Sequence, residues 1–226
     1  MNLTLPFTPA EIRGVIFDMD GLLLDSERVA LATVAEAAAE LGLEWRYEVG
    51  LAMVGLNSKD GPAVIRRHLG DDYPTAALYD TFGRIYEAAI VAGRIPVKGG
   101  AAELFDQLDR RALGRVVATS TRRSRAEPKL AAVGLLPRVH GMVCGDEVVR
   151  GKPAPDIYFA AAARLGLPIE HCLVLEDSNA GVRGALAAGA RVVMVPDLLQ
   201  PADGVRAAGV PVAASLHDLA GFFAAG

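Results

Sequence analysis

Short, unbroken apolar runs recur along this 226-residue chain, separated by longer stretches rich in Ala, Leu and Glu. GVIFDMD (14–20), GRVVATS (114–120), GMVCGD (141–146), CLVLED (172–177) and RVVMVP (191–196) are rich in β-branched residues, and PVAAS (211–215) is a candidate last edge strand. Continuous rather than alternating apolarity predicts strands covered on both faces. Between them GAAELFDQLDRRAL, SRAEPKLAAVGLL and PDIYFAAAARLGL have helical character. Strand–helix alternation of this kind predicts an α/β fold, a parallel sheet with helices on both faces.

The alternation fails over residues 26–94. SERVALATVAEAAAELG, a segment near 46–54, SKDGPAVIRRHLG and PTAALYDTFGRIYEAAIVAG read as helices, with Gly42, Gly70 and Gly93 where three of them should stop. This is too long for a βα connection. It predicts an inserted helical domain, a bundle-like cap over 25–95 joined by linkers near 22–26 and 93–98. The sheet-forming core is then 1–24 and 96–226.

Four of the five main runs end in residues capable of chemistry: Asp18-Met19-Asp20, then Thr119-Ser120-Thr121, then Asp146 with Arg150-Gly151-Lys152-Pro153, then Glu176-Asp177-Ser178. Parallel strands put these ends on one edge, where open sheets bind ligands and where the insert departs. Asp18, Asp20, Glu176 and Asp177 would form an acid cluster that cannot stay fully ionised without a cation. With only oxygen donors and no His/Cys set, Mg²⁺ is favoured over zinc, and phosphate is its natural co-ligand. Thr119 and Ser120 offer hydroxyls and backbone N–H groups at a strand-to-helix turn, and Lys152 adds a cation beside a helix start.

Composition narrows the classes. Hydrophobic residues are 52% and charged ones 22%, a globular balance. A net charge of −4 with no Lys/Arg block disfavours nucleic acid. The start, MNLTLPFTPAEIRG, has no signal-peptide pattern, and no apolar run is long enough to span a membrane. Cys144 and Cys172 read as buried thiols. A cytoplasmic protein is expected, monomeric or dimeric, without nucleic-acid or membrane partners.

FDMDGLLLDSE, VVATSTRR, RGKPAPDIYFAAA and LVLEDSNAGVRGA, in that order, resemble the haloacid dehalogenase-like hydrolase superfamily, in the branch of β-phosphoglucomutase and sugar-phosphate phosphatases. The resemblance implies a Rossmann-like core with a helical cap. It makes Asp18 the nucleophile that forms an aspartyl-phosphate and Asp20 the acid for the leaving alcohol, then the base for water. Thr119 and the Ser120 backbone would hold the phosphoryl group, with Lys152 steadying phosphate and nucleophile. Mg²⁺ would bind the Asp18 side chain, the Asp20 backbone carbonyl and Asp177, with Glu176 in or near that shell. Asp20 argues against dehalogenation, because a halide needs no proton. β-Phosphoglucomutases carry a histidine where this chain has Ala30, and their lysine before the return linker is not evident, although Lys98 lies downstream. Both departures favour a phosphatase on a small phosphorylated metabolite over a phosphomutase, and the intact motif set disfavours a mere binding module.

Plainer roles are expected elsewhere. Ser178 and Asn179 read as helix caps, Asp25 and Glu27 as the acidic first turn of the insert, and Asp146 as a turn residue. Trp45 and Tyr47 read as packing between insert helices, and His68, His140, His171 and His217 as non-catalytic. GLNSKD places Asn57, Ser58 and Lys59 where relatives carry a substrate-specificity loop.

Overall fold

In the computed structural model, which describes residues 3–54 and 60–225, five parallel strands form one sheet in the order β3-β2-β1-β4-β5. They are β1 (Gly14–Phe17), β2 (Gly114–Thr119), β3 (Met142–Cys144), β4 (Cys172–Glu176) and β5 (Arg191–Met194). The five main apolar runs thus all become strands. The sixth, PVAAS, makes a single bridge, Val212 beside Met194. Pro211 has no N–H to give a ladder, and Val212 is half exposed, so the edge gains little by extending.

Side chains alternate between two cores. Val15, Phe17, Val117, Leu173, Leu175 and Val193 face one cluster; Ile16, Val116, Ala118, Val174 and Val192 face the other. The first is closed by α5 (Ala101–Arg110), α6 (Arg123–Ala132) and α10 (Leu216–Ala224). The second is closed by α7 (Asp156–Leu165), α8 (Asn179–Ala188) and α9 (Asp203–Ala207). Burial on both faces explains why the runs carry no polar alternation.

Among the described residues four helices lie between β1 and α5: α1 (Ser26–Glu40), α2 (Tyr47–Leu51), α3 (Gly61–Leu69) and α4 (Thr75–Val91). Val34, Ala37, Val49, Ile65, Leu78 and Ile85 give them a hydrophobic cluster of their own, with Trp45 packed against it and Tyr47 exposed. Gly42, Gly70 and Gly93 all adopt positive φ, the conformation that lets a helix stop. The two connections to the sheet run side by side. Leu24 bridges Val97 antiparallel, Asp25 N–H donates to Pro96 O at 2.9 Å, and Lys98 N–H to Leu23 O at 2.8 Å.

Strand order reverses at β1. From there the chain builds outward through β2 and β3, then returns to lay β4 and β5 on the other side. The carboxyl ends of β1 and β4 therefore flank the crevice where open α/β sheets bind ligands.

Candidate active site

Register sets the site. Phe17 pairs with Leu175 and with Val117, so Asp18, Glu176 and the β2 end emerge at one level. Asp18, Glu176 and Asp177 are buried, and ligand oxygens from the three lie within 4.8 Å of one another, close enough to share one cation. Gly21, at φ +87°, makes room for Asp177. A Cβ there would fall 2.3 Å from Asp177 Oδ2.

Lys152 enters from the β3–α7 connection. Its ammonium donates to Asp18 Oδ1, to Glu176 Oε1 and, at 3.0 Å, to the Ala118 carbonyl. Glu176 also accepts from Tyr158 OH at 2.8 Å, and from the Ser178 hydroxyl at 3.0 Å and N–H at 3.2 Å. With its oxygens so engaged, Glu176 is an anchor for Lys152 beside Asp18. Gly181 is required by the same residue, because a Cβ there would lie 2.0 Å from the Glu176 carboxylate.

The electrostatics follow. Burial, with Glu176 and Asp20 adding repulsion, pushes Asp18 up to about 8, although Lys152 opposes the shift. Burial, Asp18 and Glu176 hold Asp177 well above the usual carboxylate range. Burial works against the Lys152 ammonium, but Asp18 and Glu176 outweigh it and raise its pKa. One lysine cannot offset three ionised carboxylates buried together, so their full ionisation needs a further cation, and every donor is an oxygen. These residues fit a hard divalent cation.

Asp20 behaves oppositely. Burial would raise it, yet Lys129, Ser26 and Thr121 together hold it below its ordinary value. Lys129 Nζ lies 2.7 Å from Oδ1, Ser26 Oγ 2.6 Å from Oδ1, and Thr121 Oγ1 2.6 Å from Oδ2. Thr119 is buried at the tip of β2. Its hydroxyl accepts from Thr121 N–H at 3.1 Å and reaches Asp20 Oδ2 at 3.5 Å. Ser120 next to it is exposed. Thus Asp18, Asp20, Thr119, Ser120, Lys152, Glu176 and Asp177 converge on one edge, whereas Asn57, Ser58 and Lys59 lie outside the described residues.

Several neighbours carry weight that their sequence context did not reveal. Ser26, Thr121 and Tyr158 stand inside quoted motifs but attracted no role of their own. Lys129, in the helical run SRAEPKLAAVGLL, carries no local sign of burial, yet it is 5% exposed. Glu27 does sit in the first turn of α1. Its side chain, however, lines a cavity of about 260 Å³ with Ala30, Leu31, Met53, Tyr79 and Phe82. Burial, then Asp197 and Asp20, push it up to about 7. Asn179 is no cap. Ser178 alone caps α8, accepting from Gly181 N–H at 3.0 Å, while Asn179 bonds Gln200 O and Ala202 N–H and ties down the loop after β5. Asp146 occupies a turn and accepts from Arg123 N–H at 3.0 Å. Lys98 donates to Asp197 at 2.6 Å, as does Arg28 of α1.

The model of the haloacid dehalogenase-like hydrolases, a hydrolase family, matches residues 12–189. The chain belongs to that family. As a haloacid dehalogenase-like hydrolase it is 35% identical over 209 residues to Protein CbbY of Rhodobacter capsulatus, covering 88% of this chain and 91% of the relative. A probable pseudouridine-5'-phosphatase of Drosophila melanogaster is 35% identical over 195 residues, covering 83% of each. The crystal structure of CbbY from Rhodobacter sphaeroides in complex with phosphate superposes with a TM-score of 0.74 at 28% identity, over 93% of this chain and 99% of that one. Among the described residues no helix of this hydrolase is long and apolar enough to cross a membrane.

Proposed function

We propose that this hydrolase is a Mg²⁺-dependent phosphomonoesterase acting on a small phosphorylated metabolite, a sugar phosphate or similar ester, through an aspartyl-phosphate on Asp18. One observation carries the reading: two aspartates two positions apart are served by different cations, Lys152 for Asp18 and Lys129 for Asp20. Separate cations let a nucleophile and a proton-transfer carboxylate work side by side without sharing one counter-charge. The relatives named for a phosphatase and solved with phosphate support it.

Asp18 attacks phosphorus as the ester P–O bond breaks, and Asp20 passes a proton to the departing alkoxide oxygen. The carboxylate so formed then takes a proton from water as the water attacks the acyl phosphate. This frees phosphate and restores both aspartates. Lys152 keeps Asp18 oriented, and Thr119 with the Ser120 backbone holds the phosphoryl oxygens. Asp18, Asp177 and the Asp20 carbonyl would hold Mg²⁺, with Glu176 fixing Lys152 beside it. Bound there, the ion would ionise Asp18 and offset charge on the phosphoryl oxygens. Residues 25–95 act as a lid that sheds bulk water and selects the leaving group through the cavity beside Glu27. Ala30 lines that cavity where an imidazole would be needed for a phosphomutase. Release of inorganic phosphate from a panel of phosphorylated metabolites with Mg²⁺ tests the reading, with Asp18→Asn as control. An inert panel, or an Asp18→Asn protein as active as the parent, contradicts it.

A further inference from the structure

Lys129 belongs to none of the four motifs and touches neither Asp18 nor the cation position, yet it is buried against the proposed proton carrier. Its Nζ lies 2.7 Å from Asp20 Oδ1 and 5.2 Å over the ring of Tyr86 on α4. Tyr86 is itself buried, and it stacks on Phe82, a wall of the cavity beside Glu27. A second contact between the same two helices, Arg125 to Glu87 at 2.6 Å, holds α6 against α4. Lys129 is thus enclosed between the core acid and the lid.

An aspartate carboxylate turns easily about its last torsion, which is broad and roughly two-fold, so its partners decide where its oxygens point. Among the described residues the other donors to the Asp20 side chain are hydroxyls, those of Ser26, Thr121 and, more distantly, Thr119. Hydroxyl rotors can follow a turning carboxylate. A buried ammonium contributes a stronger, charge-assisted bond. We propose that Lys129 is a positioning residue that fixes the Asp20 carboxylate in the orientation needed to hand a proton to the leaving oxygen. This rests on the phosphomonoesterase reading above.

The alternative is that Lys129 only neutralises a buried acid and holds α6 in place. The two roles differ in how they treat the leaving group. A nitrophenolate departs with little need of a proton, whereas a benzyl alkoxide needs one, and the two esters are similar in size. A loss of proton delivery therefore falls on the second. The experiment compares kcat/KM for 4-nitrophenyl phosphate and benzyl phosphate, with Mg²⁺, in the parent protein, Lys129→Met, Lys129→Gln and Lys129→Arg. Thermal melting monitors folding. The expected result is a loss on benzyl phosphate on the order of a hundredfold in Lys129→Met and Lys129→Gln, at least about tenfold larger than on 4-nitrophenyl phosphate. Lys129→Arg, which keeps the charge, should recover part of that gap. Should Lys129→Met not fold, Lys129→Gln keeps the stem and a donor and reads the same difference. Equal losses on both esters, or none on either, with an active parent, overturn the positioning role alone. A parent inert on both esters overturns the phosphatase reading and this proposal with it.

Discussion

Asp18 and Asp20 lie two positions apart on the same chain, and the lysines that meet them come from opposite sides, Lys152 beyond β3 and Lys129 on α6. Removing the proton carrier should be costly without emptying the site. Asp20→Asn is expected to lower kcat on an alkyl phosphate by about 10²–10⁴-fold while leaving Mg²⁺ affinity within a few-fold of the parent. Undiminished turnover would remove Asp20 from the mechanism. Gly21 offers a complementary test. Gly21→Ala places a methyl against Asp177 at a positive φ, where L residues incur roughly 1–2 kcal/mol of strain. The expected outcome is a folded protein whose activity needs much more Mg²⁺ and recovers partly as Mg²⁺ is raised. Normal activity at low Mg²⁺ would mean that Asp177 holds no cation. At this scale the acids were legible because DxD and ED stand at strand ends. Lys129 was not, since a lysine beside Pro128 in a charged helix gives no sign that its side chain turns inward. Nor was the inward turn of Glu27, which shares its composition with an ordinary helix start.

The strands and the insert could be read at the level of elements, because burial on both faces leaves an apolar run and because no βα connection needs some seventy residues. The final edge strand could not. Pairing at an edge depends on a neighbour's backbone, and Pro211 shortens it to one bridge. Also hidden were the contacts that tie the connections together: Asp197, beyond β5, accepts from both Arg28 on α1 and Lys98 after the return. Such pairs join residues far apart in sequence and have no local pattern. If the insert is a lid with its own core, loosening that core should affect substrate capture more than the chemical step. Ile65, fully buried in the insert's cluster, is the place to test this. Ile65→Ala should cost about 2–5 kcal/mol of stability and raise KM more than it lowers kcat. A kcat loss with KM unchanged would speak against a separable lid.

Across the whole molecule, the acid cluster links stability to pH and to the metal. Asp18 ordinarily titrates at 3.8 but is pushed to about 8 in the fold, and Asp177 is raised in the same direction. Between those values the folded protein holds more protons than the unfolded chain, so these groups make stability fall as pH rises through that window. Without divalent cations the protein should therefore lose stability from about pH 5 to about pH 8. Mg²⁺ should restore more at the higher pH, where it does not compete with protons. At a hundredfold excess over Kd the gain is about 2.7 kcal/mol, or several degrees in Tm for a chain of this size. An equal Tm gain at both ends of the range would place Mg²⁺ elsewhere.

The central claim is that Asp18 carries the phosphoryl group. The most direct measurement is acid quenching during turnover of a ³²P-labelled substrate with Mg²⁺, followed by counting label on the protein. The account predicts label that is stable to acid, released by hydroxylamine as acyl phosphates are, and absent from Asp18→Asn. Phosphate release with no label on the protein at any quench time, or label that persists in Asp18→Asn, would contradict it.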